Sequence, residues 1–303
     1  MSRRILLVAH PNRPGVVDIA REVVSGLHEA GVEVALAPDE VQEFTDIDVG
    51  PVVVAEAPDY ARGCELVVVL GGDGTILRGA EHSRGTSAPL LGVNLGHVGF
   101  LAEAEREEVG ATVQHIVDRT YRVEERMTLE VVARLDGAEI ARSWALNEVS
   151  IEKSARERMI EVTVEIDDRP LSTWGCDGVL VATPTGSTAY AFSAGGPVIW
   201  PDVEAILMVP LSAHALFARP VVVGPRSRLA VDVIPGSQAP GVMWCDGRRH
   251  VDLPPGARIE VSRSSTPVRL ARLGTSPFTD RLVAKFDLSV AGWRGNGPVG
   301  HVS

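Results

Sequence analysis

Val67-Val68-Val69-Leu70-Gly71-Gly72-Asp73-Gly74-Thr75-Ile76-Leu77-Arg78 runs four apolar residues into three glycines and one carboxylate, and an apolar-periodic segment follows. The pattern predicts a strand, a tight turn and a helix start. Backbone amides at such a turn bind anions, above all phosphate, and glycine lets the ligand come close because it carries no Cβ. Asp73 stands out. A carboxylate where phosphates dock is repulsive unless it meets a metal ion or takes a proton from a hydroxyl, and the second role is what a kinase needs. The same residues also describe a plain turn with Asp73 as N-cap, and the local pattern leaves both readings open.

Two other phosphate loops are excluded. No Gly-x-x-x-x-Gly-Lys-[Ser/Thr] occurs, and lysine stands only at positions 153 and 285. The dinucleotide fingerprint is approached by Gly72 to Leu77, but leucine replaces its third glycine and its first spacer is charged.

The chain has 303 residues, 45% of them apolar, enough for two domains with buried cores. Its net charge is −11, from 40 acidic and 29 basic residues, which argues against extended nucleic-acid or anionic membrane surfaces. Three scattered cysteines suggest neither a disulfide framework nor a zinc cluster, and point to a reducing compartment. The apolar run at Ile5 to Ala9 is too short for a signal peptide, and no run approaches a membrane span. A soluble cytoplasmic protein is expected.

Ile5 to Ala9 reads as a buried parallel strand, and Val16 to Ala30 as a helix on its apolar spacing. Val32 to Leu36 reads as a second strand, and Pro38 to Gly63 mostly as an acidic surface loop around Val52-Val53-Val54. After the glycine turn a helix is expected to about Glu81, then a strand from Pro89 to Asn94 that exits through Leu95-Gly96-His97-Val98-Gly99. Two glycine-rich turns after strands of one parallel sheet can line one crevice. His97 reads as a surface-loop histidine rather than a catalytic one. Glu105 to Arg119 reads as a further helix.

Beyond Tyr121 short alternating runs, among them Thr128 to Leu135, Met159 to Ile166 and Leu229 to Ile234, are separated by Asp-Gly, Asp-Asp and Pro-Gly turns. This is an antiparallel all-β pattern. The expected organisation is an α/β domain over residues 1–120, a β-rich domain over 121–276, and a tail over 277–303 with a helix at Phe278 to Leu288 and a mobile glycine-rich end. Within the β region, Asn147-Glu148 reads as a turn between apolar runs. Trp174 to Pro197 is dense in small residues and in the hydroxyls of Thr183, Thr185, Ser187, Thr188, Tyr190 and Ser193, and reads as a loop that could donate to a ribose or base edge.

Taken together, Gly71 to Thr75, Asn94-Leu95-Gly96, Asn147-Glu148, Asp177-Gly178, Thr183 to Pro197 and Cys245-Asp246-Gly247 resemble the NAD kinase family. Gly-Gly-Asp-Gly-Thr alone is shared with diacylglycerol and sphingosine kinases, whereas Thr183 to Tyr190 with the upstream Asn147-Glu148 is far more specific. The resemblance implies an N-terminal doubly wound, Rossmann-like α/β domain, an all-β C-terminal sandwich-like domain, a chain tail that returns to the first, and an active site in the cleft between the two.

It also implies phosphoryl transfer to the 2′-hydroxyl of the NAD adenosine ribose, with Asp73 as general base and the amides of Gly72 and Gly74 on phosphate oxygens. Mg²⁺ is the expected companion of the donor, which is ATP or polyphosphate. Asn147 and Glu148 match the pair that contacts the adenosine. Asp177, Thr188, Ala189, Tyr190, Ala191, Phe192 and Ser193 match further NAD contacts, as does Arg158. Arg78 is a candidate for a phosphate by its place one helical turn past the loop. Many relatives carry Arg where this chain has Gly175, a cation that Arg156, Arg158, Arg248 or Arg249 could supply. A homodimer or homotetramer, with no nucleic-acid or membrane partner, completes the expectation. The alternatives are a lipid kinase sharing the Asp73 loop and a non-catalytic NAD(P)-binding regulator.

Overall fold

The computed structural model describes residues 3–10, 15–43, 50–57, 59–95, 99–103, 108–155, 158–237, 239–274 and 276–290. The chain forms two compact units, Met1–Glu124 with Arg269–Ser303, and Glu125–Val268.

The first unit is built from β1 (Arg4–Ala9), α1 (Val16–Glu29), β2 (Glu33–Leu36), α2 (Pro38–Glu43), β3 (Val53–Val54), β4 (Leu66–Leu70), α3 (Asp73–Ser83), β5 (Leu90–Val93), α4 (Val109–Asp118) and β6 (Arg122–Arg126). Two late elements join it, β19 (Val268–Arg272) and α6 (Phe278–Phe286). The sheet order is β3-β2-β1-β4-β5-β19-β6, with β1 to β5 and β19 pairing in parallel.

Strand side chains alternate between the two faces. Ile5, Leu7, Leu66, Val68 and Leu70 pack with Ile19, Val23 and Leu27 of α1 and Ile116 of α4. The opposite face carries α3, where Gly79 lies against Val69 and Leu90, and Ile76 against Gly92. Helices therefore cover both faces, and the near-continuous apolar strands follow from that double burial. The strand order reverses between β1 and β4, so the carboxyl ends of these two strands flank the switch point where such folds bind ligands.

The second unit holds β7 (Leu129–Leu135), β8 (Ala138–Ala145), β9 (Glu148–Lys153), β10 (Ile160–Ile166), β11 (Arg169–Cys176), β12 (Gly178–Ala182), α5 (Tyr190–Ser193), β13 (Ile206–Leu211), β14 (Val221–Val223), β15 (Leu229–Val233), β16 (Gly241–Cys245), β17 (Arg249–Leu253) and β18 (Arg258–Arg263). They form two six-stranded sheets, β11-β10-β15-β18-β7-β8 and β14-β13-β12-β9-β16-β17. The sheets share one core, to which Val131, Val162 and Ile259 contribute from the first and Val149, Val181 and Met243 from the second. Leu180 and Ala182 point to the other face of β12, where Ala191, Ile199, Leu207 and Val209 cover them. β12 is thus buried on both faces although its sheet is antiparallel.

Several expectations change. Among its described residues Pro38 to Gly63 is mostly without helix or strand, as expected, but it opens with α2, carries the edge strand β3, and buries Glu40 fully. Asn147 lies in the bend between β8 and β9, as expected of a turn, but both it and Glu148 are buried, and Glu148 opens β9. The helix expected from Glu105 is seen from Val109. His97, Gly96, Arg156 and the glycine-rich end lie outside the described residues.

Candidate functional site

In the first unit β4 delivers the chain to Gly71, whose N–H still bonds Val93 O of β5 at 3.0 Å. A Cβ at Gly71 would lie 2.4 Å from Thr75 Oγ1, so the turn closes only with glycine there. Gly72 caps α3, and the amides of Thr75 and Ile76 return to its carbonyl at 2.9 and 3.1 Å. Amides ahead of these have no acceptor within the helix and face outward, as in any helix N-terminus. Gly74 is exposed, with nothing within 4 Å of where its Cβ would be. Nothing among the described residues requires glycine at 74, whereas a ligand that approaches the backbone would.

Asp73 is not the N-cap. It is the first helical residue, its carboxylate half-buried, and it accepts hydrogen bonds from the amides of Phe100 at 3.4 Å and Leu101 at 3.3 Å. A Cβ at Gly99 would fall 2.6 Å from Asp73 Oδ1, so the loop after β5 is pressed onto the carboxylate. The two glycine-bearing turns expected to line one crevice do meet, at Asp73. Arg78 differs from expectation. Its Nη2 bonds Ala9 O at 2.7 Å and Glu40 Oε1 at 2.5 Å, so its charge is engaged inside the protein across the end of β1.

The second unit gathers the other residues. Asp246 sits at the tip of the β16–β17 hairpin with Gly247, both at positive φ (55° and 62°), as a two-residue turn demands. Its buried carboxylate accepts the amides of Leu146 at 3.0 Å and Asn147 at 2.7 Å, and its own N–H bonds Glu148 O at 2.9 Å. Arg249 Nη2 reaches Asp246 Oδ2 at 2.7 Å while its guanidinium lies 4.4 Å from the Trp144 ring centre. The Asn147-Glu148 pair is therefore fixed by a residue a hundred positions later. Burial, then the neighbouring Asp246 charge, pushes the Glu148 carboxyl up to about 8, against a lowering contribution from the Tyr190 N–H. This environment favours the protonated form of Glu148, which can donate as well as accept. Among the described residues its Oε2 is buried with no hydrogen-bond partner.

The hydroxyl-rich loop divides its labour. Thr183 Oγ1 bonds Leu146 O at 2.5 Å and accepts from the Gly186 amide at 3.1 Å, Ser187 Oγ is tied to Pro184 O and the Ile199 backbone, and Thr188 Oγ1 bonds Thr185 O at 3.2 Å. The buried Thr183 and Ser187 hydroxyls fold the loop, whereas Thr188, partly exposed, spends its proton on the loop and keeps lone pairs that can accept from a ligand. Ala191 is buried in the β12 core, whereas Ser193 is exposed and Tyr190 and Phe192 show about two fifths of their surface (41% and 39%). The exposed Tyr190 ring, whose own N–H meets Glu148, offers stacking surface next to a hydrogen-bonding group.

Asp177 takes an ion pair from Lys153 Nζ at 2.5 Å. That bond, with help from Ser212 and His214, holds its carboxyl below the usual range despite some desolvation. Lys153 was not among the cations expected to offset Gly175. No sequence spacing links residues 153 and 177, and only the pairing of β9 with β12 brings them together. Arg249 is committed to Asp246, and Arg158 and Arg248 are exposed. The three cysteines are buried, their thiols pushed up to about 11, 12 and 11 at Cys64, Cys176 and Cys245, which removes them as nucleophiles.

Comparison with known proteins agrees with this division. Residues 5–121 match the ATP-NAD kinase N-terminal domain and residues 146–273 the ATP-NAD kinase C-terminal domain. The chain is 58% identical over 301 residues to an NAD kinase of Thermobifida fusca, covering 97% of this chain and 92% of that one. It is 56% identical over 293 residues to NAD kinase 2 of Streptomyces coelicolor, covering 97% of both. Among solved structures it resembles yeast NADH kinase complexed with NADH (TM-score 0.83, 25% identity, 99% of this chain and 90% of that one). It also resembles an NAD kinase from Archaeoglobus fulgidus in complex with ATP (TM-score 0.71, 26% identity, 94% and 98%). Family models over both parts of the chain, and relatives above half identity over nearly all of it, favour this reading over the lipid-kinase and regulator alternatives. The chain belongs to the NAD kinase family.

Proposed function

We propose that this chain transfers a phosphoryl group from ATP to the 2′-hydroxyl of the NAD adenosine ribose, with Asp73 as the base that takes the hydroxyl proton. The observation that carries the role of Asp73 is its place at the first turn of α3, beside outward-facing amides, with two backbone N–H groups fixing its carboxylate. A ribose hydroxyl is a poor acid, and a fixed carboxylate removes its proton as the bond to phosphorus forms. In a loose phosphoryl-transfer transition state most acceleration comes from positioning and charge stabilisation, which the Gly72 and Gly74 amides supply to phosphate oxygens.

Mg²⁺ entering with the donor fits the turn. The ion would be held by the donor's phosphates at this turn, which leaves the Asp73 carboxylate as the base. When bound, the ion neutralises charge on the transferring group. Glu148, Asn147, Asp177, Tyr190, Phe192 and Ser193 form the acceptor's subsite in this reading, with Glu148 donating a hydrogen bond. Arg158 belongs to it on the family resemblance. The backbone of Thr188 to Ala191 contributes rather than the Ala191 side chain. Polyphosphate is a second donor to be tried, and a homodimer or homotetramer in the cytoplasm completes the proposal, on the family resemblance and the sparse cysteines.

The test is NADP formation from NAD, Mg²⁺ and either ATP or polyphosphate, read by an NADP-specific dehydrogenase, for the native protein beside Asp73→Asn. Native turnover that collapses in the variant while NAD still binds supports the assignment. Equal turnover in both removes Asp73 from the chemistry.

A further inference from the structure

We infer that Arg281, on the C-terminal helix α6, is a positioning residue for Asp73, acting through the peptide units of residues 100–103. The inference rests on the reading of Asp73 as the base. The two residues never touch. The N–H of Leu101 donates to Asp73 Oδ1 at 3.3 Å, and the carbonyl of Phe100 accepts from Arg281 Nη1 at 3.1 Å. These two groups are opposite ends of one planar peptide unit, so the unit cannot rotate at one end without breaking the bond at the other.

The neighbouring units are held in the same way. Leu101 O accepts from Arg272 Nη1 at 3.3 Å. Ala102 O accepts from Arg281 Nη1 at 3.0 Å, and the Glu103 N–H at the other end of that unit bonds Gly92 O of β5 at 2.8 Å. Glu103, buried, pairs with both Arg272 and Arg281. The Phe100 ring meets Phe278 and Phe286 of α6 at 5.7 and 5.8 Å. This stretch thus takes its orientation from two guanidiniums and one backbone bond to β5, and the Phe100 carbonyl, back to back with the amide that meets Asp73, is the one held by Arg281, 181 residues downstream.

α6 contributes no fully buried side chain to the core, so its contacts act locally on this segment. Elements with so little burial open at low free energy. Undocking α6 frees the Phe100–Leu101 unit and with it the carboxylate.

The test pairs kinetics with site-resolved amide exchange on Arg281→Ala, Arg281→Lys and Phe286→Ala. For Arg281→Ala the expected result is a kcat at least tenfold lower with KM for NAD and ATP within twofold. Exchange at Phe100 and Leu101 should be at least tenfold faster, with that of Leu66 to Leu70 unchanged. Lys at 281, which can still reach one carbonyl, should restore part of both, and Phe286→Ala, which keeps the guanidinium, should show a weaker form of both. Native kcat and native exchange at Leu101 in Arg281→Ala overturn the inference, as does a general rise in exchange with KM and kcat lost together. Fast exchange at Leu101 with unchanged kcat overturns the inference when Asp73→Asn still abolishes turnover, and overturns the reading of Asp73 as the base when Asp73→Asn also turns over natively.

Discussion

A methyl group on Gly186 would sit 2.0 Å from the carbonyl oxygen of Asn147. That oxygen already accepts the Thr183 amide at 2.9 Å, so neither partner can retreat without releasing the loop. Gly186→Ala therefore forces apart the Thr185–Thr188 turn and the Asn147-Glu148 pair. Overpacking of this kind costs about 3 kcal/mol. Urea unfolding should show that loss, and the KM for NAD should rise at least tenfold. A variant with native NAD affinity would show that this contact does not shape the acceptor's subsite.

Glu148 makes a pH prediction whose sign is fixed by its environment. Its folded pKa, about 8, lies above the ordinary 4.5 because burial and the Asp246 charge oppose ionisation, with Arg249 acting on Asp246 and the Tyr190 N–H working the other way. Between these values the unfolded chain has lost the proton and the folded one keeps it, so stability falls as pH rises through that window and levels off above 8. The 3.5-unit difference sets an upper limit of about 5 kcal/mol. Glu148→Gln should remove this slope in denaturation curves measured from pH 5 to 9. In the native protein the KM for NAD should rise above pH 8 as the donor proton is lost, and in the variant it should not.

Arg78 and Glu40 illustrate a buried pair whose halves are unequal to lose. Glu40 is fully buried and Arg78 mostly so, and they join α3, α2 and the end of β1. Removing one partner of such a pair leaves the other charge stranded, at a cost of about 3–5 kcal/mol. Arg78→Ala should lose that much stability, and Arg78→Met with Glu40→Met should recover much of it. If Arg78 served a donor phosphate instead, the double variant would stay stable yet lose ATP affinity, which a titration with ATP would reveal.

The parallel sheet was legible because continuous apolar runs such as Val67 to Leu70 are what double burial requires, and the sandwich because its strands alternate. The glycine turn was legible because three glycines around one acid have few uses. What stayed hidden are relations that topology alone creates. Asp246 holds Asn147 across a hundred residues, Arg281 reaches Phe100 across 181, and the hydroxyls of Thr183 and Ser187 turn inward to their own backbone, which composition cannot distinguish from facing a ligand. The burial of Glu40 within the acidic stretch was hidden for a related reason: its partners are Arg78 and the Ala9 amide, both far away in sequence.

Lys153 pairs with Asp177, two positions after Gly175. β9 and β12 pair so that Lys153 faces the start of β12, and its N–H also bonds the Asp177 carbonyl at 3.0 Å, which fixes the stem while the ammonium stays partly exposed. Lys153→Met removes the charge and keeps the stem. The Asp177 carboxyl should then titrate at higher pH than in the native protein, because its largest lowering influence is gone. Its depressed pKa adds stability above the unfolded value of 3.8 that is lost as pH falls through that region, and with 42% of the side chain exposed the amount is small. Melting temperature at pH 7 should consequently change by no more than a few degrees. Binding should change more. If the ammonium orients Asp177 toward NAD, losing a contact of about 1 kcal/mol raises the KM for NAD about fivefold, with kcat unchanged. Lys153→Arg should keep the native value. An unchanged KM in Lys153→Met would show that the pair serves only the β9–β12 edge.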